Sequence, residues 1–172
     1  MSFNSASWVL VHLGANTEWR EKAIDEIRNF MDKYSNTTSS EPIHQRLSSI
    51  PISAWEEDMP VLEDVIRESM RLVLAGTAIR RNLVDSLQVD GKTIDKGVFM
   101  AYNVGEVHLN EEIYPEPQKF DPNRYSAPRE EDKRGNMVFL GWGAGRHPCA
   151  GQARIPCYIT TFSQLLSRHE GC

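Results

Sequence analysis

The stretch Phe139–Gly151, FLGWGAGRHPCAG, poses the central question of this 172-residue chain. Four of its thirteen positions are glycine, and a single cysteine, Cys149, stands between Pro148 and Ala150. Glycines let backbone approach another group closely. A thiolate binds a metal or attacks an electrophile. Two nucleotide-binding readings fail on spacing. A dinucleotide fingerprint built on Gly141, Gly143 and Gly145 needs glycine at 146, where Arg146 stands. A phosphate loop ending in Gly91-Lys92-Thr93 needs glycine at 86, where Ser86 stands. Zinc is a poor fit as well: Cys157 lies eight positions after Cys149, and no second ligand pair accompanies His147 and Cys149. On the residues alone, Cys149 is a metal ligand, a nucleophile with His147 as its base, or core filler.

Composition narrows the class. The chain is 40% hydrophobic and 25% charged, a globular balance. Its net charge of −5 argues against nucleic acid as a partner, which a basic stripe would favour. Three late cysteines make a poor disulfide framework and fit reducing surroundings. Nothing reaches the roughly 18 consecutive apolar residues of a membrane span, so no membrane anchor is read in this chain. Its longest apolar patch, Trp8–Ala15, reads as a buried helix segment with Met1 almost directly on it. That abrupt start reads as missing upstream sequence.

The periodicity gives helices first. Residues 5–15 read as the end of an apolar helix. Residues 17–34 read as an amphipathic helix capped by Thr17, with Ala23, Ile27, Phe30 and Tyr34 on one stripe and Ile24 and Met31 beside it. Pro60 opens a third helix to about Leu74, with Leu62, Val65, Ile66, Ser69 and Val73 buried. After Gly76 short apolar runs alternate with turns, and Asp90-Gly91 between extended segments predicts a hairpin in a small sheet. Residues 111–138 hold four prolines and many charges, and read as a long irregular segment, of the kind that is either functional or pinned by specific contacts. A final helix is expected after the glycine-rich segment.

Glu68 and Arg71 stand three apart and share one helix face, close to the buried stripe. An ion pair there needs a further partner to be satisfied. Arg124, within KFDPNRY, is the candidate, with Phe120, Pro122 and Tyr125 as anchors of an irregular loop.

These residues carry a resemblance. Glu68-Ser69-Met70-Arg71 resembles the ExxR motif of the cytochromes P450, the heme-thiolate monooxygenases. FDPNRY resembles that family's PERF segment, and WGAGRHPCAG its heme-binding loop, F-G-x-G-x-[RH]-x-C-x-G. The three stand in the family's order and approximate spacing. Val107-His108 to Pro117 is similar to the stretch leading into PERF, and the overall flavour is fungal-type and distantly like sterol 14α-demethylases. The implied fold is mainly α with a small β-sheet, the C-terminal part of the cytochrome P450 fold, with residues 1–172 forming a partial domain truncated at both ends.

The resemblance implies roles. Cys149 would be the axial ligand of heme b, iron protoporphyrin IX, where a thiolate favours O–O cleavage. Gly143, Gly145 and Gly151 would let the loop pass beneath the porphyrin, and Trp142 would shield the sulfur and bring an indole donor near it. His147 would neighbour a heme propionate, as would one of Arg80 and Arg81, whose side chains point to opposite faces of an extended run. Glu68, Arg71 and Arg124 would form a buried structural ion network. Leu74, Ala75, Thr77, Ala78 and Ile79 would line the pocket of an apolar small-molecule substrate. Electrons would come from an NADPH-dependent reductase, with Arg129, Lys133 and Arg134 on the side facing it. The full-length enzyme would sit on the cytosolic face of the endoplasmic reticulum membrane. Asn4 and Ser5 resemble the oxygen-activating pair only loosely, so no catalytic residue is assigned. Pro156 departs from the family's helix after the ligand. The alternative is an inactive remnant or a non-catalytic interaction domain.

Overall fold

The computed structural model describes residues 2–35, 42–74, 76–144 and 149. Six α-helices and four short strands lie within that range. Helices α1 (Ser2–Ala15), α2 (Thr17–Tyr34) and α5 (Pro60–Val73) build the core, with α5 packed against both others. Each buries residues at helical spacing: Ala6, Val9 and Leu13 on α1, Ala23, Ile27, Phe30 and Met31 on α2, and Leu62, Val65 and Ile66 on α5. Two six-residue helices, α3 (Ile43–Ser48) and α4 (Ile52–Glu57), fill the connection. Trp55 of α4 seats its ring 4.7 Å from Phe30, closing the bottom of the core. Trp142, just ahead of the cysteine, belongs to this same cluster.

The sheet is two separate two-stranded ribbons rather than one. Strands β2 (Ser86–Val89) and β3 (Lys92–Asp95) form the expected hairpin. Asp90 and Gly91 adopt φ of 48° and 71°, the left-handed pair that a tight two-residue hairpin turn requires. Strands β1 (Thr77–Arg81) and β4 (Phe99–Asn103) pair antiparallel outside it, with Ile79 opposite Ala101. Asn82 joins the ribbons. Its side-chain amide donates to the Ile94 and Asp95 carbonyls, and its backbone N–H donates to Val98 O at 2.9 Å.

A five-residue helix, α6 (Val104–His108), follows β4, capped by the Asn103 side chain, which accepts the Gly105 N–H. The chain from Leu109 to Val138 is irregular except for 3-10 turns at Pro122–Arg124 and Glu131–Lys133. Two expectations shift in detail. Thr17 is the first residue of α2 rather than its cap, since Asn16 holds the cap position and makes no side-chain cap bond. Val73 is only partly buried, because the chain leaves the helix at Leu74, whereas Glu68 and Arg71 are buried with the stripe. The expected final helix lies outside the described residues.

Helix α5 takes its N-terminal cap from another element. Met59, at its cap position, offers no side-chain acceptor, and Glu26 of α2 accepts the Val61 and Leu62 N–H groups at 2.8 and 2.7 Å. Glu26→Ala should therefore lower stability by about 1 kcal/mol, read as an earlier urea midpoint at unchanged slope.

Candidate functional site

Glu68 sits on the buried face of α5 and accepts five hydrogen bonds. Arg71, one turn on, grips it with two parallel bonds at 2.8 Å, Nε to Oε2 and Nη2 to Oε1. Arg124 Nε and the Asp121 N–H donate to Oε1, each at 3.0 Å, and the Tyr125 hydroxyl donates to Oε2 at 3.2 Å. Glu68 and Arg124 are fully buried, and Arg71 is 1% exposed. Burial is the largest single effect and works against the charge on Arg71, yet the Glu68 hydrogen bonds and charge, with Tyr125 and Tyr114, together hold its pKa above the ordinary arginine value. The remaining Arg71 bond runs from Nη1 to the His108 carbonyl at 2.6 Å, tying α5 to α6.

Arg124 spends every N–H it has. Besides Glu68, it donates to Glu131 Oε2 at 2.9 Å and to the carbonyls of Pro115, Glu116 and Lys119. Glu131 in turn accepts two bonds from Arg129, which also reaches Asp121 Oδ2 at 2.6 Å. Glu68, Glu131 and Asp121 thus face Arg71, Arg124 and Arg129, three carboxylates against three guanidiniums. Sequence reasoning missed Glu131. The residues expected to face a reductase are engaged within the chain: Arg129 as above, Lys133 with Glu130, and Arg134 with the Ile113 carbonyl. An acidic residue in a run of mixed charges carries no local sign of burial; only the fold shows that Glu131 turns inward.

Three contacts fix the approach to the cysteine loop. Tyr114 donates to Val138 O at 3.0 Å. Phe139 packs against Tyr125 edge-on at 5.8 Å and against His108 at 5.7 Å, with the Arg67 guanidinium 4.8 Å from its centroid. A Cβ on Gly141 would fall 2.5 Å from the Phe139 ring, so this glycine is required by close packing, a role its sequence did not show. Leu140 N–H donates to His108 Nε2, and Gly143 N–H to Leu140 O. Gly143 turns the chain at φ +77°, where a side chain would be strained.

The loop then closes on itself: the Cys149 N–H donates to Trp142 O at 2.7 Å. Trp142 is 9% exposed, and its buried Nε1 has no hydrogen-bond partner among the described residues. Cys149 itself is an exposed free thiol. Gly145, His147 and Gly151, also expected here, lie outside the described residues, as does Ala75 of the expected pocket lining. Among the described residues, no group of three metal-ligating side chains forms a metal site.

Arg80 and Arg81 leave β1 on opposite faces, as alternation requires. Among the described residues, the Arg80 side chain bonds only the adjacent Ile79 carbonyl. Arg81 is held more firmly, with Nε donating to Gly97 O at 3.2 Å and the guanidinium over the Phe99 ring. Its two Nη groups make no hydrogen bond among the described residues. Of the expected pocket segment, Ile79 is 58% exposed, Thr77 is exposed, and Leu74 and Ala78 are half-buried.

Glu68→Gln keeps the shape of the network and removes the charge that two buried guanidiniums share. The expected cost is about 3–5 kcal/mol, because the cations are left without compensation. Urea unfolding reads the loss, and a change below about 1 kcal/mol would show that Glu131 and Asp121 suffice.

The comparisons agree on one family. The family described as Cytochrome P450 matches residues 2–153. Cytochrome P450 monooxygenase AacuE of Aspergillus aculeatus is 34% identical over 166 residues, covering 93% of this chain and 33% of that protein. A sterol 14alpha-demethylase of Mycolicibacterium vanbaalenii is 30% identical over 170 residues, covering 98% of this chain and 34% of its own length. The solved structure of retinoic acid bound cyanobacterial CYP120A1 superposes with a TM-score of 0.69 at 24% identity, over 96% of this chain and 35% of that one. The chain spans about a third of the length of these relatives. With the buried Glu68 network, the paired ribbons and the cysteine loop in one arrangement, the chain belongs to the cytochrome P450 family.

Proposed function

We propose that this chain carries the thiolate-ligand side of a heme-dependent monooxygenase. The observation that carries the reading is the closed turn before the cysteine, in which Trp142, rooted in the helical core, accepts the Cys149 N–H and leaves the thiol exposed. The residues fit heme b. A soft thiolate suits iron, and the buried, unpartnered Trp142 Nε1 supplies a donor that an anionic sulfur or a propionate would satisfy. The thiolate would ligate the iron through Cys149 Sγ, with Trp142 fixing where the sulfur stands. Bound heme supplies the redox chemistry: with O2, two electrons and two protons, one oxygen atom enters a C–H bond and the other leaves as water.

Of the two arginines, Arg81 is the better-prepared partner for a propionate. Its Nε is anchored and both Nη groups are left to make a bidentate contact, so less side-chain freedom is lost on binding. His147 and the loop glycines Gly145 and Gly151 belong to the same proposed site. Leu74, Ala78 and Ile79 present carbon to an apolar substrate. An NADPH-dependent reductase would supply electrons; of the residues expected to face it, Arg129 is paired with Asp121 and Glu131, and Lys133 with Glu130. Placement on the cytosolic face of the endoplasmic reticulum belongs to the same proposal; among the described residues, no helix is long and apolar enough to cross a membrane.

Purified chain mixed with heme, reduced and exposed to CO should give the red-shifted Soret band of a thiolate-ligated iron, and Cys149→Ala should abolish it. A parent chain without that band would favour the non-catalytic reading. In the same titration Arg81→Ala should weaken heme affinity by about tenfold, the worth of one charge-assisted contact, and Arg80→Ala by much less. Equal losses would remove the preference for Arg81.

A further inference from the structure

His108 closes α6 and is fully buried. It is bound from two directions. Its carbonyl accepts Arg71 Nη1 at 2.6 Å, and its Nε2 accepts the Leu140 N–H at 3.0 Å. An accepting Nε2 carries the ring's lone pair, so the neutral imidazole must hold its proton on Nδ1. That buried Nδ1 makes no formed hydrogen bond among the described residues, although the ring lies near the carbonyls of Arg71 and Leu74 at the end of α5.

Leu140 stands at the root of the cysteine loop. Its carbonyl accepts the Gly143 N–H, and two residues on, the Trp142 carbonyl accepts the Cys149 N–H. One polar path therefore runs from Glu68 to Arg71, through both ends of His108, to Leu140 and on toward Cys149.

We propose that His108 is a positioning residue for the Cys149 loop, coupling the ion network to the root of that loop through a neutral imidazole. The proposal rests on the reading of Cys149 as the heme ligand for its functional meaning. An apolar ring would pack against Phe139 equally well but would leave the Leu140 N–H without its acceptor, a cost that burial magnifies. A protonated ring would fail differently, turning a donor toward a donor.

Few charges bear on the ring. From α5, Arg71 opposes a positive imidazole and Glu68 favours one; the residues packed on it from the later segment, Phe139 and Leu140, are uncharged. Burial first, and the Arg71 charge second, push the His108 pKa down to about 4. Histidine in an unfolded chain titrates near about 6.5. The unfolded chain therefore binds more protons between those values. The contribution of the contact is complete above the higher value and is lost as pH falls through the window.

Amide hydrogen exchange at Leu140 tests the proposal without heme. His108→Phe keeps the stacked ring and removes the acceptor; His108→Gln places Oε1 where Nε2 accepts. The Phe variant should expose Leu140 to exchange about tenfold faster, with α5 amides unchanged, and the Gln variant should stay close to the parent. After correction for intrinsic rates, protection of Leu140 should fall with acid in the parent and not in the Gln variant. Parental protection in the Phe variant, or the same acid dependence in the Gln variant, overturns the proposal. If the Phe variant does not fold, the parent and Gln pair still decides it. Heme titration of the same proteins reads the other question: a protected Leu140 in a parent with no thiolate band removes the ligand role and leaves the His108 contact in place.

Discussion

The Glu68 carboxylate is the group on which the rest of the structure leans. An isolated carboxylate moved from water into a protein interior costs several kcal/mol even after relaxation. Here the cost is met by five donors, two of them guanidiniums that would themselves be stranded without it. The donors come from α5, from the Asp121 backbone and from the turn that follows it. One side chain thereby ties the irregular segment to the helix against which its Phe120 and Tyr125 already pack. Such a centre adds less to net stability than an apolar core of equal volume, but it tolerates few other arrangements of the same chain.

From that centre the cysteine loop is held in two ways. The polar route passes through Arg71 and the His108 carbonyl to the Leu140 amide. The apolar route is Trp142, whose ring joins the α1, α2 and α5 core while its carbonyl holds the Cys149 N–H. Phe139 lies between the routes, wedged against His108, Tyr125 and Arg67 with no room for a side chain at Gly141. The thiol is left outside this framework, exposed and available.

Much of this was legible in the sequence where a single element carries the signal. The stripes of α2 and α5 span several turns, so their apolar spacing is readable, and Asp90-Gly91 names its own turn. Helices α3, α4 and α6 run only five or six residues, too short for a period to repeat. Glu68, Arg71 and Arg124 were found because their motifs are distinctive and their burial could be argued from the helix face. Glu131, Gly141 and His108 were not, since each acquires its role from a partner distant in the chain: Arg124, the Phe139 ring and the Leu140 amide. The split of the sheet into two ribbons was equally hidden, because they are linked through the side chain and backbone of one buried asparagine, Asn82, rather than by a shared strand.

Arg124 holds the irregular segment by its main chain, through the carbonyls of Pro115, Glu116 and Lys119. A carbonyl is the same whichever residue bears it. The clamp is therefore blind to side-chain identity along that segment, and the outward surface there is free to diverge in charge and shape while the interior beneath it stays as it is. A protein built this way can change what it meets on one face without renegotiating how it presents its cysteine on another.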